Sequence, residues 1–83
     1  MEYDFSNEVI HILHKRIGTN VKKIRTEKGL SQLELSYAMG NKSVSLISAA
    51  ELANDGKKFN IEQLYKIATI LKVDLCEFFK EDL

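Results

Sequence analysis

The sequence predicts an all-α domain of four to five helices. No segment alternates polar and apolar residues with a period of two, which argues against half-buried strands. Apolar residues instead recur at steps of three and four, and residues suited to helix capping precede these stretches. The 83 residues suffice for one compact core, so we expect a single small domain without a separate catalytic or ligand-binding unit.

The first predicted helix runs from about residue 7 to residue 27. Ser6 is its expected N-cap, and Gly29 is the expected left-handed residue after its end. The apolar phase continues through Gly18, so the helix is either continuous or bent there. Residues 1–16 extend this helix, either as part of the core or as a docking or dimerisation surface. The predicted core-facing residues are Ile10, Leu13, Ile17, Val21 and Ile24.

The pattern of residues 30–51 predicts two short helices joined by a tight turn. Ser31 and Glu34 have the spacing of a capping box, and Gly40 is suited to end the first of these helices. Ser43 is the expected N-cap of the second, which runs from Val44 to Ala50. Two capped helices this close together predict a helix-turn-helix. Its expected core residues are Leu35, Met39, Ile47 and Ala50, with the small Ser36 allowing a close crossing.

The rest of the chain, from residue 52 onward, is predicted to form a loop and one or two more helices. Residues 52–59 contain the turn signal Asn54-Asp55-Gly56 followed by two lysines. Asn60 and Gln63 predict a second capping box, and Asp74 can cap a last helix from Leu75 to about Lys80. The apolar residues of this part are Phe59, Leu64, Ile67, Ala68, Leu71, Phe78 and Phe79.

Charge is balanced overall and uneven along the chain. The 12 basic residues equal the 12 acidic ones, but residues 15–28 carry six basic side chains against one acidic, and Lys57 and Lys58 are adjacent. On charge alone, a solvated helix face and a nucleic-acid-binding surface both remain open.

Several classes of function are not expected. No apolar run approaches the length of a membrane span, no secretory signal is recognisable, and Cys76 is alone, so we expect a cytoplasmic protein. Cys76 should be partly buried. His11 and His14 lack a third ligand, so they are expected to be solvent-exposed and no metal site is predicted. No nucleophile and base pattern is present, and we predict neither catalysis nor a cofactor.

Residues 17–79 carry a pattern of motifs at defined spacing. It comprises Ile17-Gly18, Ile24-Arg25, Gly29-Leu30-Ser31-Gln32, Leu35, Gly40, Ile47, Glu51, Leu64, Ile67-Ala68, Leu71, Val73 and Phe79. This pattern resembles the Cro/repressor-type (Xre-like) helix-turn-helix domain of bacterial and phage regulators. The chain is most similar to small stand-alone members such as restriction-modification controller proteins. The resemblance divides it into an N-terminal helical extension, residues 1–16, and a DNA-binding domain, residues 17–83.

The resemblance implies a transcriptional regulator that binds double-stranded DNA as a homodimer, without a small-molecule effector. The second helix of the motif would enter the major groove at each of two half-sites. Arg25 and Glu51 would form a structural ion pair. Gln32 would bind a DNA phosphate, and further phosphate contacts are expected from Lys42, Asn54, Lys57 and Lys58. The dimer interface is expected at Leu75, Phe78, Phe79 and Leu83, although one of the two phenylalanines can instead close the monomer core.

The recognition helix departs from the family pattern by one extra residue between Gly40 and Glu51. Alignment backward from Glu51 gives the groove-facing positions Ser43, Val44, Ser45, Ser48 and Ala49. None is an arginine, asparagine or glutamine, so modest base specificity is expected, with large contributions from DNA shape and phosphate contacts.

An alternative function on the same fold is a protein-interaction module, such as an antitoxin or co-regulator. An apolar patch of Val44, Leu46 and Ala49 would then meet a protein partner.

Overall fold

The computed structural model describes residues 2–81, which form four α-helices and two short 3₁₀ helices, without a strand. None of these helices has the length and apolar character needed to cross a membrane. The all-α prediction is confirmed. The α-helices are α1 Asn7–Glu27, α2 Gln32–Ala38, α3 Ser45–Leu52 and α4 Ile61–Leu71, and the 3₁₀ helices are Asn54–Gly56 and Leu75–Phe79.

Helix α1 is continuous and is capped as predicted. The hydroxyl of Ser6 accepts a hydrogen bond from the backbone N–H of Val9 at 3.3 Å. Gly29 takes a left-handed conformation, with φ of 79°, after the helix ends. Gly18 does not bend the helix. A Cβ atom at this position would lie 2.4 Å from the backbone oxygen of Glu51 and 2.6 Å from that of Ala50, so the glycine lets α1 and α3 pack closely.

The core lies where the second half of α1 meets α2, α3, α4 and the C-terminal 3₁₀ helix. The predicted apolar stripe of α4 is buried, and Phe59 is buried with it before the helix begins. Phe78 is fully buried. It therefore belongs to the monomer core and is unavailable to the dimer interface predicted for it. Phe79, by contrast, is 38% exposed, and the predicted interface residue Leu83 lies outside the described residues. The buried apolar residues are Ile17, Val21, Leu35, Ile47, Ala50, Ala53, Phe59, Leu64, Ile67, Ala68, Leu71 and Phe78.

The first half of α1 extends beyond this core. Ile10 and Leu13 were predicted to face the core, but they are 38% and 37% exposed. The reason is length: α1 has 21 residues, or about 31 Å, whereas α2, α3 and α4 have 7, 8 and 11. The shorter helices cannot cover all of it. Tyr3, Phe5, Val9 and Ile12 are also exposed, which makes this end of the molecule an uncovered apolar surface.

Both predicted capping boxes are confirmed. In α2, Ser31 accepts from the Glu34 backbone at 3.0 Å, and Glu34 accepts from the Ser31 backbone at 2.9 Å. Asn60 and Gln63 make the equivalent reciprocal pair at the start of α4, at 2.7 and 2.9 Å. Both helices thus begin where their side chains satisfy backbone amides that the helix leaves free.

The predicted caps of the other two segments are wrong. Helix α3 begins one residue later than expected, with Val44 at the N-cap position and no side-chain cap. The Ser43 hydroxyl instead accepts from the Ser45 backbone at 3.4 Å, two residues on, within the turn. Asp74 makes no capping hydrogen bond, and the segment after it is a 3₁₀ helix. Cys76 on this segment was expected to be partly buried, and that prediction is wrong. It is exposed, because the short 3₁₀ helix turns Phe78 into the core instead.

Candidate nucleic-acid interface

Helices α2 and α3 form the predicted helix-turn-helix. Gly40 follows α2 with φ of 88°, a conformation that favours glycine, and the next backbone N–H, that of Asn41, donates to the Ser36 carbonyl at 2.9 Å. The side chain of Ser36 is fully buried, so its small size allows α3 to pack closely. Leu35 and Ile47 are likewise completely buried in the core that both helices share. The turn therefore fixes α3 on the outside of a rigid core.

A buried ion pair joins α1 to the end of α3. The Arg25 Nε donates to Glu51 Oε2 at 2.8 Å, and Nη2 donates to Oε1 at 3.0 Å. The remaining guanidinium nitrogen, Nη1, donates to the backbone oxygen of Leu30 at 2.8 Å. Both charged side chains are almost completely buried, and the bidentate geometry sets their relative orientation. The structural pair that the family resemblance implies is therefore present in the fold.

Gln32, the first residue of α2, also contacts this ion pair. Its Nε2 donates to Glu51 Oε1 at 3.0 Å, and its side chain is half-buried. The amide thus has a partner inside the protein that no local sequence pattern predicts. The same nitrogen carries a second hydrogen that a DNA phosphate can accept, so the two contacts do not exclude each other. The phosphate contact of Gln32 stays a prediction, and the structure adds a role in holding α2 against α3.

The small side chains predicted to face the groove lie together at the start of α3. Ser43 and Ser45 are exposed, while Val44, Ser48 and Ala49 are half-buried. The Ser43 hydroxyl donates to the Ser45 hydroxyl at 3.2 Å, and the Ser48 hydroxyl donates to the Ser45 carbonyl at 3.3 Å. The result is a shallow polar surface with no long side chain.

Leu46 lies on the side of α3 that is turned toward the core. It is half-buried and packs against the core. The apolar patch expected for a protein-interaction module is therefore reduced to Val44 and Ala49, neither of which is fully exposed.

The predicted phosphate-binding residues flank α3 at both ends. Lys42 precedes the helix, and Asn54, Lys57 and Lys58 follow it; all four are exposed. The chain reverses after α3 through Ala53 and Asp55, which have positive φ angles of 53° and 51°. This places the two lysines on the loop that leads from the end of α3 to α4. A helix lying in the major groove has a phosphate backbone on either side, so this arrangement suits DNA.

A family model described as Helix-turn-helix matches residues 21–78. The chain belongs to the Cro/C1-type (Xre-like) helix-turn-helix family. No curated protein matches the chain in sequence. Members of this family are DNA-binding domains and not enzymes, so the chain is a DNA-binding helix-turn-helix domain. The match includes the Arg25–Glu51 pair, α3 and the loop after it, and it excludes the first 20 residues, including the exposed half of α1.

The basic side chains of residues 15–28 lie in different surroundings. Arg25 is buried in its ion pair. Arg16 Nη2 lies 3.6 Å from Glu81 Oε1, near the C-terminal end of the described chain. Lys15 and Lys22 are exposed on α1, and Lys28 is exposed just after the helix ends. The basic cluster seen in residues 15–28 is therefore divided between structural and surface roles.

Asn20 is a structural residue that the sequence analysis missed. Its side chain is buried, and Nδ2 donates to the backbone oxygens of Phe78 at 2.9 Å and Lys80 at 2.7 Å. These bonds hold the C-terminal 3₁₀ helix against α1. The available signal was its position three residues after Ile17, on the apolar side of the helix, where a solvated asparagine would be out of place.

Across residues 2–81, no three histidine, cysteine, aspartate or glutamate side chains come close enough together to hold a metal ion. His11 is exposed, as expected, while His14 is half-buried.

Proposed function

We propose that the chain is a transcriptional regulator that binds paired half-sites of duplex DNA as a homodimer, with α3 in the major groove. The observation that carries this proposal is the position of α3. The helix is fastened to α1 by the buried Arg25–Glu51 pair, and exposed cationic residues stand at both of its ends. A rigid recognition helix flanked by cations is what DNA backbone positioning requires.

Base reading by this helix would be limited. Ser45 and Ser48 can each make one hydrogen bond to a base edge, and Val44 and Ala49 can contact thymine methyl groups. No side chain on α3 can make a bidentate contact to guanine or adenine. Operator choice would therefore depend strongly on DNA shape and on the phosphate contacts that position α3.

We propose further that the second copy binds at the exposed half of α1. Phe78 is buried and Leu75 packs against the core, so the C-terminal surface offers little apolar area besides Phe79. On α1, Val9, Ile12 and Leu13 lie on one exposed face.

The charges on this part of α1 are complementary in an antiparallel arrangement. Glu8 and Arg16 stand four residues before and after Ile12. Two antiparallel copies crossing at Ile12 would therefore place each Glu8 near the partner's Arg16, as a two-fold interface requires. Arg16 now lies 3.6 Å from the exposed Glu81, and such a surface pair can be exchanged at little cost.

The DNA proposal is tested by fluorescence anisotropy with a labelled random-sequence duplex across a range of salt concentrations. Binding should weaken as salt rises, with a log–log slope of about −0.9 for each phosphate neutralised. The double variant K57Q/K58Q should reduce the size of this slope by about 1.8 per bound protomer. Lys66 is an exposed lysine on α4, and K66Q is the matched control that should leave the slope unchanged. Absence of salt-dependent binding by the wild-type chain would overturn the proposal.

A further inference from the structure

An open cleft of about 190 Å³ lies between the first half of α1 and the loop after α3. Asn7, His11 and His14 line it from the helix, and Lys57 and Lys58 line it from the loop. The family match begins at residue 21, so the helical wall of this cleft lies outside the shared domain while the loop lies within it. The cleft is thus a feature that the N-terminal extension adds to the family fold.

The charged and titratable groups around this cleft are all basic. His14 faces His11 on its own helix and Lys57 and Lys58 across the gap. The nearest acidic residues in sequence, Glu8 and Asp55, do not contribute to its lining within the described chain. Burial, the charge of Lys58 and the proximity of His11 together lower the pKa of His14 below its usual 6.5. An anion between the two walls would relieve the repulsion that the basic groups exert on one another.

The position of the cleft indicates which kind of anion it would bind. Lys57 and Lys58 lie on the loop that directly follows α3. If α3 occupies the major groove, this loop faces the sugar–phosphate backbone beside the groove. A phosphate oxygen there can accept hydrogen bonds from the lysine ammonium groups and from protonated imidazole N–H groups.

We propose that this cleft binds a phosphate group of the DNA backbone, and that protonation of His11 and His14 tightens DNA binding as the pH falls. The inference rests on the proposed DNA-binding function and assigns the N-terminal extension a part in it. Each imidazole that becomes charged adds a cation at the phosphate, so the bound state takes up protons that the free protein does not hold.

His11 and His14 are the only two histidines of the chain, so their titration can be separated from that of its other ionisable groups. Carboxyl groups titrate near pH 4 and lysines above pH 10, so between pH 5.5 and 7.5 histidine is the side chain whose charge changes most. We expect the wild-type chain to bind duplex DNA about fivefold more tightly at pH 5.5 than at pH 7.5. The log–log salt slope should steepen by up to about 0.9 for each histidine that contacts a phosphate.

The experiment measures anisotropy of a labelled random-sequence duplex at pH 5.5, 6.5 and 7.5, at constant ionic strength. The test variant is H11Q/H14Q, in which both rings become neutral amides that cannot take up a proton. The control is K66Q, which removes an exposed charge on α4 and keeps both histidines. A second arm follows the histidine ring resonances by NMR while inorganic phosphate or the duplex is added.

The inference predicts that H11Q/H14Q loses the pH dependence and that K66Q retains it, with the His14 resonance titrating at higher pH in the DNA complex. If the wild type and H11Q/H14Q bind DNA with the same pH dependence, the inference is wrong and the DNA-binding function stands. A histidine response to inorganic phosphate with no change in DNA affinity would also overturn it. Absence of DNA binding at every pH and salt concentration would overturn the proposed function and this inference together.

Discussion

Gly18 and Glu51 mark a point of very close approach between α1 and α3, where a Cβ atom on Gly18 would lie 2.4 Å from the Glu51 backbone oxygen. Two helical turns later, Arg25 holds the carboxylate of the same glutamate. Glu51 thus contacts α1 through both its backbone and its side chain. The backbone contact sets the distance between the helices, and the ion pair sets the rotation of α3 about its axis. Together they determine which residues α3 presents to the outside.

The first prediction concerns Gly18. Alanine is favoured over glycine inside a helix by about 1 kcal/mol, so helix propensity alone predicts that G18A is more stable than the wild type. The contact with α3 predicts the opposite, a loss of about 1–3 kcal/mol in the free energy of unfolding, because the helices must move apart. Urea denaturation decides between them. T19A, at the exposed neighbouring position, should be neutral or slightly stabilising, and a G18A variant as stable as T19A would refute the close-packing account.

The second prediction concerns the buried ion pair. E51A leaves the Arg25 guanidinium buried without its partner, and it should reduce the free energy of unfolding by about 3–5 kcal/mol. E51Q preserves the shape and should lose less, which keeps the test usable if E51A does not fold. E62A removes an exposed carboxylate from α4 and should change stability by less than about 0.5 kcal/mol. Equal losses for E51A and E62A in thermal unfolding would contradict the role assigned to the pair.

The third prediction concerns the proposed dimer. I12E places a charge at the centre of the exposed face of α1, and we expect it to shift the protein to monomers in sedimentation velocity at concentrations where the wild type is dimeric. I61E is the matched control, since Ile61 is an isoleucine of similar exposure, 64% against 58%, at the start of α4. If I12E and the wild type sediment alike, the second copy does not bind at this face.

The fourth prediction concerns the stability of the free protein at mildly acid pH. The pKa of His14 is lowered in the folded state, mainly by burial, so the unfolded chain holds more protons on this residue just below pH 6.5. Its contribution to stability is therefore complete above pH 6.5 and is lost as the pH falls through the lowered pKa. The urea midpoint of the wild type should drop between pH 7.5 and 5.5, and that of H14Q should drop less. Identical drops would show that His14 is not responsible.

The sequence predicted those features that depend on local chemistry. The capping boxes at Ser31 and Asn60 need only residues three positions apart, and the left-handed turns at Gly29 and Gly40 need only glycine. The Arg25–Glu51 pair joins residues 26 positions apart, and it was predicted only through the resemblance to the family, now confirmed by the match over residues 21–78.

Features that depend on the lengths and crossings of other helices were not predictable in this way. The apolar stripe of α1 looks uniform from Ile10 to Ile24, yet the core covers it only from Ile17 onward because the partner helices are short. A glycine inside a helix usually indicates a position of low helix propensity. Only the crossing of α1 and α3 shows that Gly18 is where the two helices make close contact. Asn20 and Gln32 likewise donate hydrogen bonds to residues far away in the sequence, Phe78 and Glu51. A local sequence pattern does not predict such contacts.

Backbone amide NMR during titration with a duplex will show whether α3 and the segments that flank it form the DNA-binding surface. We expect the largest chemical-shift changes in residues 42–49 and 53–58, with smaller changes around His11 and His14. Changes concentrated in α4 or in the C-terminal 3₁₀ helix, with residues 42–49 unaffected, would contradict it.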